Sequence, residues 1–336
     1  MRLVTFDVPT PVGPVRRIGA LVDGHVADLT AATAAYLAQW PFKGDPYALA
    51  QTRVPPDMVD FLAGGEQALE MARRALEHLG RLGPEDPRLR GPRGEQLAYP
   101  PGAVRLCAPV PRPNSIRDTL SFETHMRNSL KALGWPDIPK VWYEIPIYYK
   151  GNPCAVIGPD ETIRWPSYTR RLDYELEFGC FIGRAGRDIT EQQAHRYIAG
   201  YTIFNDVSAR DAQKTEMAML LGPAKGKDFD GSNAMGPCLV TPDEIDPRKL
   251  RTVARVNGEV WTDAHSSDMF WTFPRIIEYI SRDETLYPGD FIGSGTAGFG
   301  CGLEHGKWLK PGDVIELEVQ GIGVLRNPVG QPAPRR

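Results

Sequence analysis

The sequence predicts a mostly β, α+β fold, and three features carry that expectation. Its 31 prolines and 34 glycines are spread along all 336 residues instead of gathering in one segment, which punctuates the chain with turns. Apolar residues fall mainly in short runs bounded by those turns, the texture of strands more than of long helices. Helical spacing is confined to a few stretches. The length also exceeds one minimal domain and suits a small domain beside a larger one.

In chain order, residues 3–6, 17–22 and 26–29 read as short strands, and Asp23-Gly24 between the last two is a hairpin signal. Helical periodicity follows over 31–39 and again over 58–82, where Phe61, Leu62, Leu69, Ala72, Leu76 and Leu79 recur at three- and four-residue spacing. Residues 83–101 are dense in Pro, Gly and Arg and mark a linker. The expected division is therefore a smaller N-terminal domain with its linker, 1–102, and a larger strand-rich domain, 103–336. In the latter, strands are expected at 155–157, 175–182, 201–204, 238–240, 253–256, 290–292 and 314–319. Helices are expected at 191–197 and at 272–281, where Phe273, Ile276, Ile277 and Ile280 share a side.

Composition removes several function classes. A formal net charge of -3 argues against a nucleic-acid binder that neutralises phosphates. The pairs Arg73-Arg74 and Arg170-Arg171 are short and read as solvated surface. No apolar run approaches the roughly 18–20 residues of a membrane helix. The start turns acidic at Asp7, too early for a signal peptide, so a cytoplasmic location is expected. Cys107, Cys154, Cys180, Cys238 and Cys301 form no C-x-x-C pair. They read as free buried thiols rather than zinc ligands or disulfides.

The carboxylates of 172–182 need an explanation. In a strand, Leu172, Tyr174, Leu176 and Phe178 share one face, and Asp173, Glu175 and Glu177 share the other. That pattern suits either a polar outer face or a functional cluster. A second apolar strand ends in Asn205-Asp206, which brings another carboxylate to a strand exit. If Glu175, Glu177 and Asp206 converge, their mutual repulsion requires a positive group among them. Oxygen-only ligands suit Mg²⁺, Mn²⁺ or Ca²⁺ rather than zinc.

Just beyond, Ser208 reads as a helix cap with Asp211 completing a capping box. Arg210 and Gln213 then lie one turn apart, with Arg210 four residues past Asp206. Lys227 sits in a Gly/Pro-rich loop, ordinarily the place of a surface charge. His125 is one of six histidines and has no local feature that marks it as catalytic.

Together these segments resemble the fumarylacetoacetate hydrolase family over residues 105–330. The motifs are Tyr174-Glu175-Leu176-Glu177-Phe178-Gly179, Asn205-Asp206-Val207-Ser208-Ala209-Arg210-Asp211-Ala212-Gln213, Gly226-Lys227-Asp228-Phe229 and Gly293-Ser294-Gly295-Thr296. The resemblance implies a catalytic domain of rolled mixed β-sheets and a homodimer. It implies Asp118, Glu175, Glu177 and Asp206 as metal ligands, His125 as general base and Glu304 as the acid that orients it. Tyr149, Arg210, Gln213 and Lys227 match substrate- or oxyanion-binding positions, and Thr296 a carboxylate-binding one. Shorter members carry a glutamate three residues after the base; here that position is Asn128.

The expected activity is metal-dependent hydrolysis of a carbon–carbon bond in a β-diketo acid or acylpyruvate. Decarboxylation, isomerisation or hydration of a 2-oxo acid at the same site is the alternative, and a catalytically silent metal-binding protein a further one. An anionic substrate needs positive charge beyond Arg210 and Lys227, for which Arg127 is the candidate. Residues 130–143 and 298–303 are expected to supply loops around the acyl group. The aromatic-rich stretch 135–149 reads as a lid, a pocket wall or core.

Overall fold

The computed structural model describes residues 1–41, 44–81, 89–135 and 137–334. Leu82, the end of the second periodic stretch, residues 83–88 of the expected linker, and Arg335 and Arg336 lie outside the described residues.

The hairpin predicted around Asp23-Gly24 forms: Val15–Val22 pairs antiparallel with His25–Asp28, and Arg2–Val8 pairs antiparallel with Val15–Val22. These N-terminal strands extend a large mixed sheet, because Arg2–Val8 also pairs with Asn233–Val240. The sheet then runs through Ile198–Asp206, Leu176–Ile182, Asp290–Gly293, Ser115–Thr119 and Tyr148–Gly151. A second, five-stranded sheet joins Glu259–His265, Arg251–Val256, Val314–Val319, Gly323–Pro332 and Ile163–Trp165.

Period-two alternation assigns the two faces of the large sheet to different cores. Phe181, Phe204, Phe291 and Ile116 pack on one face with Leu29, Met58, Phe61 and Ala72 from the N-terminal helices. Phe178, Cys180 and Ile203 pack on the other with Ile276, Ile277 and Leu317. Helix Phe273–Ile280 presents the apolar side expected of it. The stretch 58–80 folds as two helices, Met58–Ala63 and Gly65–Gly80.

Four local readings differ. The 172–182 run has no solvated face: Asp173, Glu175 and Glu177 are as buried as their apolar neighbours, because both sides of a central strand are covered. Ser208 does not cap a helix. It lies in the short strand Ser208–Ala209, and helix Arg210–Met217 starts after it without a side-chain cap. Cys154 is exposed, while the other four thiols are buried. Residues 123–133 form a helix rather than part of a loop, ending at left-handed Gly134. Of the aromatic stretch, Trp142 is core and donates to the Leu120 carbonyl at 2.8 Å, whereas Ile147, Tyr148 and Tyr149 line a cavity.

Candidate active site

Three of four neighbouring strands deliver the carboxylates to one sheet face. Glu177, Asp206 and Asp118 lie at even steps from Phe181, Phe204 and Ile116, so they continue the face those residues occupy. Gly293 holds the same face between them, in register with Gly179 on one side and Asp118 on the other. With no side chain there, Asp118 and Glu177 meet across the gap. A Cβ on Gly293 would come within 2.2 Å of Asp118 Oδ1 and 3.3 Å of Glu177 Oε2.

Carboxylate oxygens of Asp118, Glu177 and Asp206 lie within 4.8 Å of one another, all buried. Fixed donors hold their outer sides. Tyr149 Oη donates to Asp206 Oδ2 at 2.7 Å, Thr296 Oγ1 to Glu177 Oε1 at 3.2 Å, and the Gly295 backbone N–H to Asp118 Oδ1 at 3.2 Å. Glu177 Oε2 and Asp206 Oδ1 have no hydrogen-bond partner. Burial, with repulsion from Glu175, pushes Asp118 up to about 6. Burial and repulsion from Glu175 and Asp118 push Asp206 up to about 8 against the pull of Lys227. Burial and Asp118 raise Glu177 well above the usual carboxylate range.

Glu175 stands beside this trio with both oxygens engaged. Arg210 Nη2 donates to Oε1 at 2.8 Å, and Lys227 Nζ bridges Glu175 Oε2 and Asp206 Oδ2. Although burial alone would raise the Glu175 carboxyl, Arg210 and Lys227 outweigh it and hold it well below the usual range. Arg210 also donates to Asp173 at 2.8 Å and to Gln213 Oε1 at 3.0 Å. Lys227, in a loop that sequence marks as surface, is buried. Arg127 is exposed and pairs with Glu123 at 2.6 Å, so it brings no charge to the site.

Opposite the carboxylates, His125 lies on helix Glu123–Leu133 with Nδ1 2.7 Å from Glu304 Oε1. Glu304 has no exposed side-chain surface. Its Oε2 accepts from Asn128 Nδ2 at 2.8 Å and the Phe299 backbone N–H at 2.9 Å. Asn128 therefore anchors the acid that contacts His125. Asp173 links the two halves: besides Arg210, it accepts from the backbone N–H groups of Gly302 and Leu303, which precede Glu304.

His125, Asp118, Glu175, Lys227, Arg210, Gln213, Tyr149 and Thr296 all line one cavity of about 360 Å³. A buried, all-oxygen trio with two unpartnered carboxylate oxygens fits a hard divalent cation, since an ion supplies the positive charge the repelling acids lack. Residues 114–330 match the family model described as fumarylacetoacetate (FAA) hydrolase C-terminal. The chain belongs to the fumarylacetoacetate hydrolase family.

Its relatives in that family span several reactions. The mitochondrial oxaloacetate tautomerase FAHD2A of Bos taurus is 33% identical over 335 residues, covering 98% of this chain and 91% of that protein. The oxaloacetate tautomerase YisK of Bacillus subtilis is 32% identical over 274 residues, covering 80% and 83%. Among solved structures, maleylpyruvate hydrolase of Sphingobium sp. SYK-6, in complex with manganese(II) ion and pyruvate, is 25% identical. It aligns with a TM-score of 0.68 over 99% of this chain and 100% of that one. Among the described residues, no helix is long and apolar enough to cross a membrane.

Sequence reasoning assigned no site role of their own to Asp173, Gly293 and the cavity-lining Arg171 and Lys214. Asp173 was within reach, since it opens the same alternating acidic run as Glu175 and Glu177. Gly293 appeared only as part of a quoted motif, because its role exists only across strands.

Proposed function

We propose that this family member is a divalent-metal-dependent enzyme that moves a proton at the carbon next to the oxo group of a 2-oxo acid, with keto–enol tautomerisation as its reaction. The observation that carries the reading is that His125, held by Glu304, lines the same cavity as Asp118 of the Asp118, Glu177 and Asp206 trio. The likeness to two oxaloacetate tautomerases supports it. Asp118, Glu177 and Asp206 would hold the cation, with Glu175 at their side. Mg²⁺ and Mn²⁺ are favoured over Ca²⁺ on the strength of the manganese in the related hydrolase.

When bound, the cation acts as a Lewis acid on the oxo group. Glu304 occupies Nδ1 of His125 and leaves Nε2 as the nitrogen that takes and returns the proton. Arg210 holds the Gln213 oxygen and turns its amide N–H₂ toward the bound acid. Lys227 balances Glu175 and Asp206, and Thr296 and Tyr149 fix the carboxylates and border the substrate.

The test is tautomerisation of oxaloacetate, followed by ultraviolet absorbance of the enol with Mg²⁺ or Mn²⁺ added. Metal-dependent acceleration that His125→Ala abolishes is expected; an unchanged rate with the wild-type protein would overturn the reading. A second reading, hydrolysis of a carbon–carbon bond in an acylpyruvate, is favoured by the likeness to maleylpyruvate hydrolase. There the same base activates water, and oxygen from labelled water appears in the product acid.

A further inference from the structure

Of the acids at 173, 175 and 177, Asp173 alone neither lines the cavity nor joins the trio. It is nonetheless fully buried, and its two oxygens are taken by donors from two separate parts of the chain. Oδ2 accepts from Arg210 Nε at 2.8 Å and from the Leu303 backbone N–H at 3.0 Å. Oδ1 accepts from the Gly302 backbone N–H at 2.7 Å.

The main chain around Asp173 is pinned to the same two parts. Leu172 and Asp173 pair with Ala209 and Ser208, the residues just before Arg210. The Leu172 carbonyl accepts from the Leu309 backbone N–H at 3.3 Å, and Glu175 forms a β-bridge with Cys301. The approach of the turn leaves no room for a side chain. A Cβ on Gly302 would fall 2.6 Å from Asp173 Oδ1 and 2.2 Å from the Lys307 carbonyl oxygen.

Two lines of contact leave this carboxylate. One runs through Arg210 to Gln213 Oε1 at 3.0 Å. The other runs through Gly302 and Leu303 to the adjoining Glu304, and from there to His125 Nδ1 at 2.7 Å. His125, Arg210 and Gln213 all line the cavity. A shift of the turn against helix Arg210–Met217 therefore changes the spacing between the imidazole and the groups that face a bound acid. Misplacement of about 1 Å at such a point costs roughly 10²-fold in rate.

We infer that Asp173 is a positioning residue, which sets His125, through the 302–304 turn and Glu304, against the substrate contacts of Arg210 and Gln213. This rests on the reading above that His125 is the base. Only an ionised carboxylate accepts at both ends at once; the amide of asparagine turns a donor toward one of the three donors.

Nuclear magnetic resonance of the full chain with isotope-labelled histidine tests it. The ring nitrogens, read through the carbon-bound ring protons in mildly alkaline buffer, show which nitrogen carries the proton, and His125→Ala assigns the signal. The wild type is expected to hold His125 as one tautomer with the proton on Nδ1. Asp173→Asn is expected to give a mixture of tautomers and to lower kcat for oxaloacetate about 10²-fold per folded molecule. Calorimetric binding of oxalate with Mg²⁺ stays unchanged, because the trio and the Arg210–Glu175 pair remain. Adding Glu304→Gln to Asp173→Asn lowers kcat little further, since both act through His125.

Gly302→Ala pushes the turn off an intact Asp173 and is expected to give the same mixture; it decides the matter where Asp173→Asn does not fold. A purely structural anchor would lower the unfolding midpoint and leave the tautomer and kcat per folded molecule as in the wild type, which overturns the proposal. Additive losses in the double variant overturn it as well. A wild type without turnover overturns the proposed function, and the ring-nitrogen comparison then decides this inference by itself.

Discussion

His125 and Glu304 are 179 positions apart in sequence and 2.7 Å apart in the fold. The acid is itself held by Asn128, three residues after the histidine, and by the Phe299 backbone. The imidazole is thereby fixed by a residue from its own helix and one from a distant turn.

That arrangement separates two roles by substitution. His125→Ala should lower kcat by about 10²–10⁴-fold, the usual range for a general base, while bound Mg²⁺ or Mn²⁺ stays stoichiometric by elemental analysis. Glu304→Gln should lower kcat by less and leave KM nearly unchanged, because it disturbs the position of the base and not the substrate contacts. Near-native turnover of His125→Ala would remove it as the base.

Burial and mutual repulsion favour the protonated carboxyl where a cation fits. Asp118 and Asp206 rise from 3.8 to about 6 and about 8, and Glu177 rises well above its ordinary value. A carboxylate raised on folding binds more protons folded than unfolded. Its contribution to stability is therefore full at low pH and declines as pH climbs from about 4 to about 8. Thermal unfolding of the metal-free protein should show this loss. Added Mg²⁺ should stabilise most at the alkaline end and release about one or two protons near pH 7, measured by calorimetry in buffers of different ionisation enthalpy. Metal binding without proton release would contradict the raised carboxyls of Asp206 and Glu177.

Gly293→Ala tests the trio without touching a ligand. The added Cβ falls 2.2 Å from Asp118 Oδ1, so Asp118 must swing away. Metal affinity should drop about 10–100-fold, as when a group supporting a ligand is lost, and circular dichroism should remain native. Unchanged affinity would mean that Asp118 is dispensable for the ion.

Arg210 neutralises two buried acids at 2.8 Å each. Arg210→Ala leaves Asp173 and Glu175 short of a partner and should destabilise the chain by about 3–5 kcal/mol in urea unfolding. Arg210→Lys should recover only part, because an ammonium cannot reproduce the forked contacts.

Much of the trio was legible in sequence because its residue types are unusual for their setting. Acids alternating with apolar residues, and a carboxylate at the end of an apolar strand, conflict with a plain buried strand. Lys227 and His125 were not legible on local grounds. A loop lysine and a single histidine look like surface and core until their neighbours are known. The separation of Glu175 from Glu177 was equally hidden: both belong to one acidic run, yet one is neutralised by Arg210 and Lys227 and the other has an unpartnered oxygen. The cap expected at Ser208 failed because strand pairing with Asp173 claimed that segment.

By itself the sequence determined many of the strands, though not Ser115–Thr119 or Tyr148–Gly151, the hairpin at Asp23-Gly24, the acidic run and the absence of the bulk charge that phosphate binding needs, because period-two patterning and turn chemistry are local properties. Only the tertiary structure decided which acids meet, which cations are already committed, and that a glycine on an intervening strand opens the space between Asp118 and Glu177. Those outcomes depend on pairing strands far apart in the chain, where register and burial, not local preference, set the distances between charges.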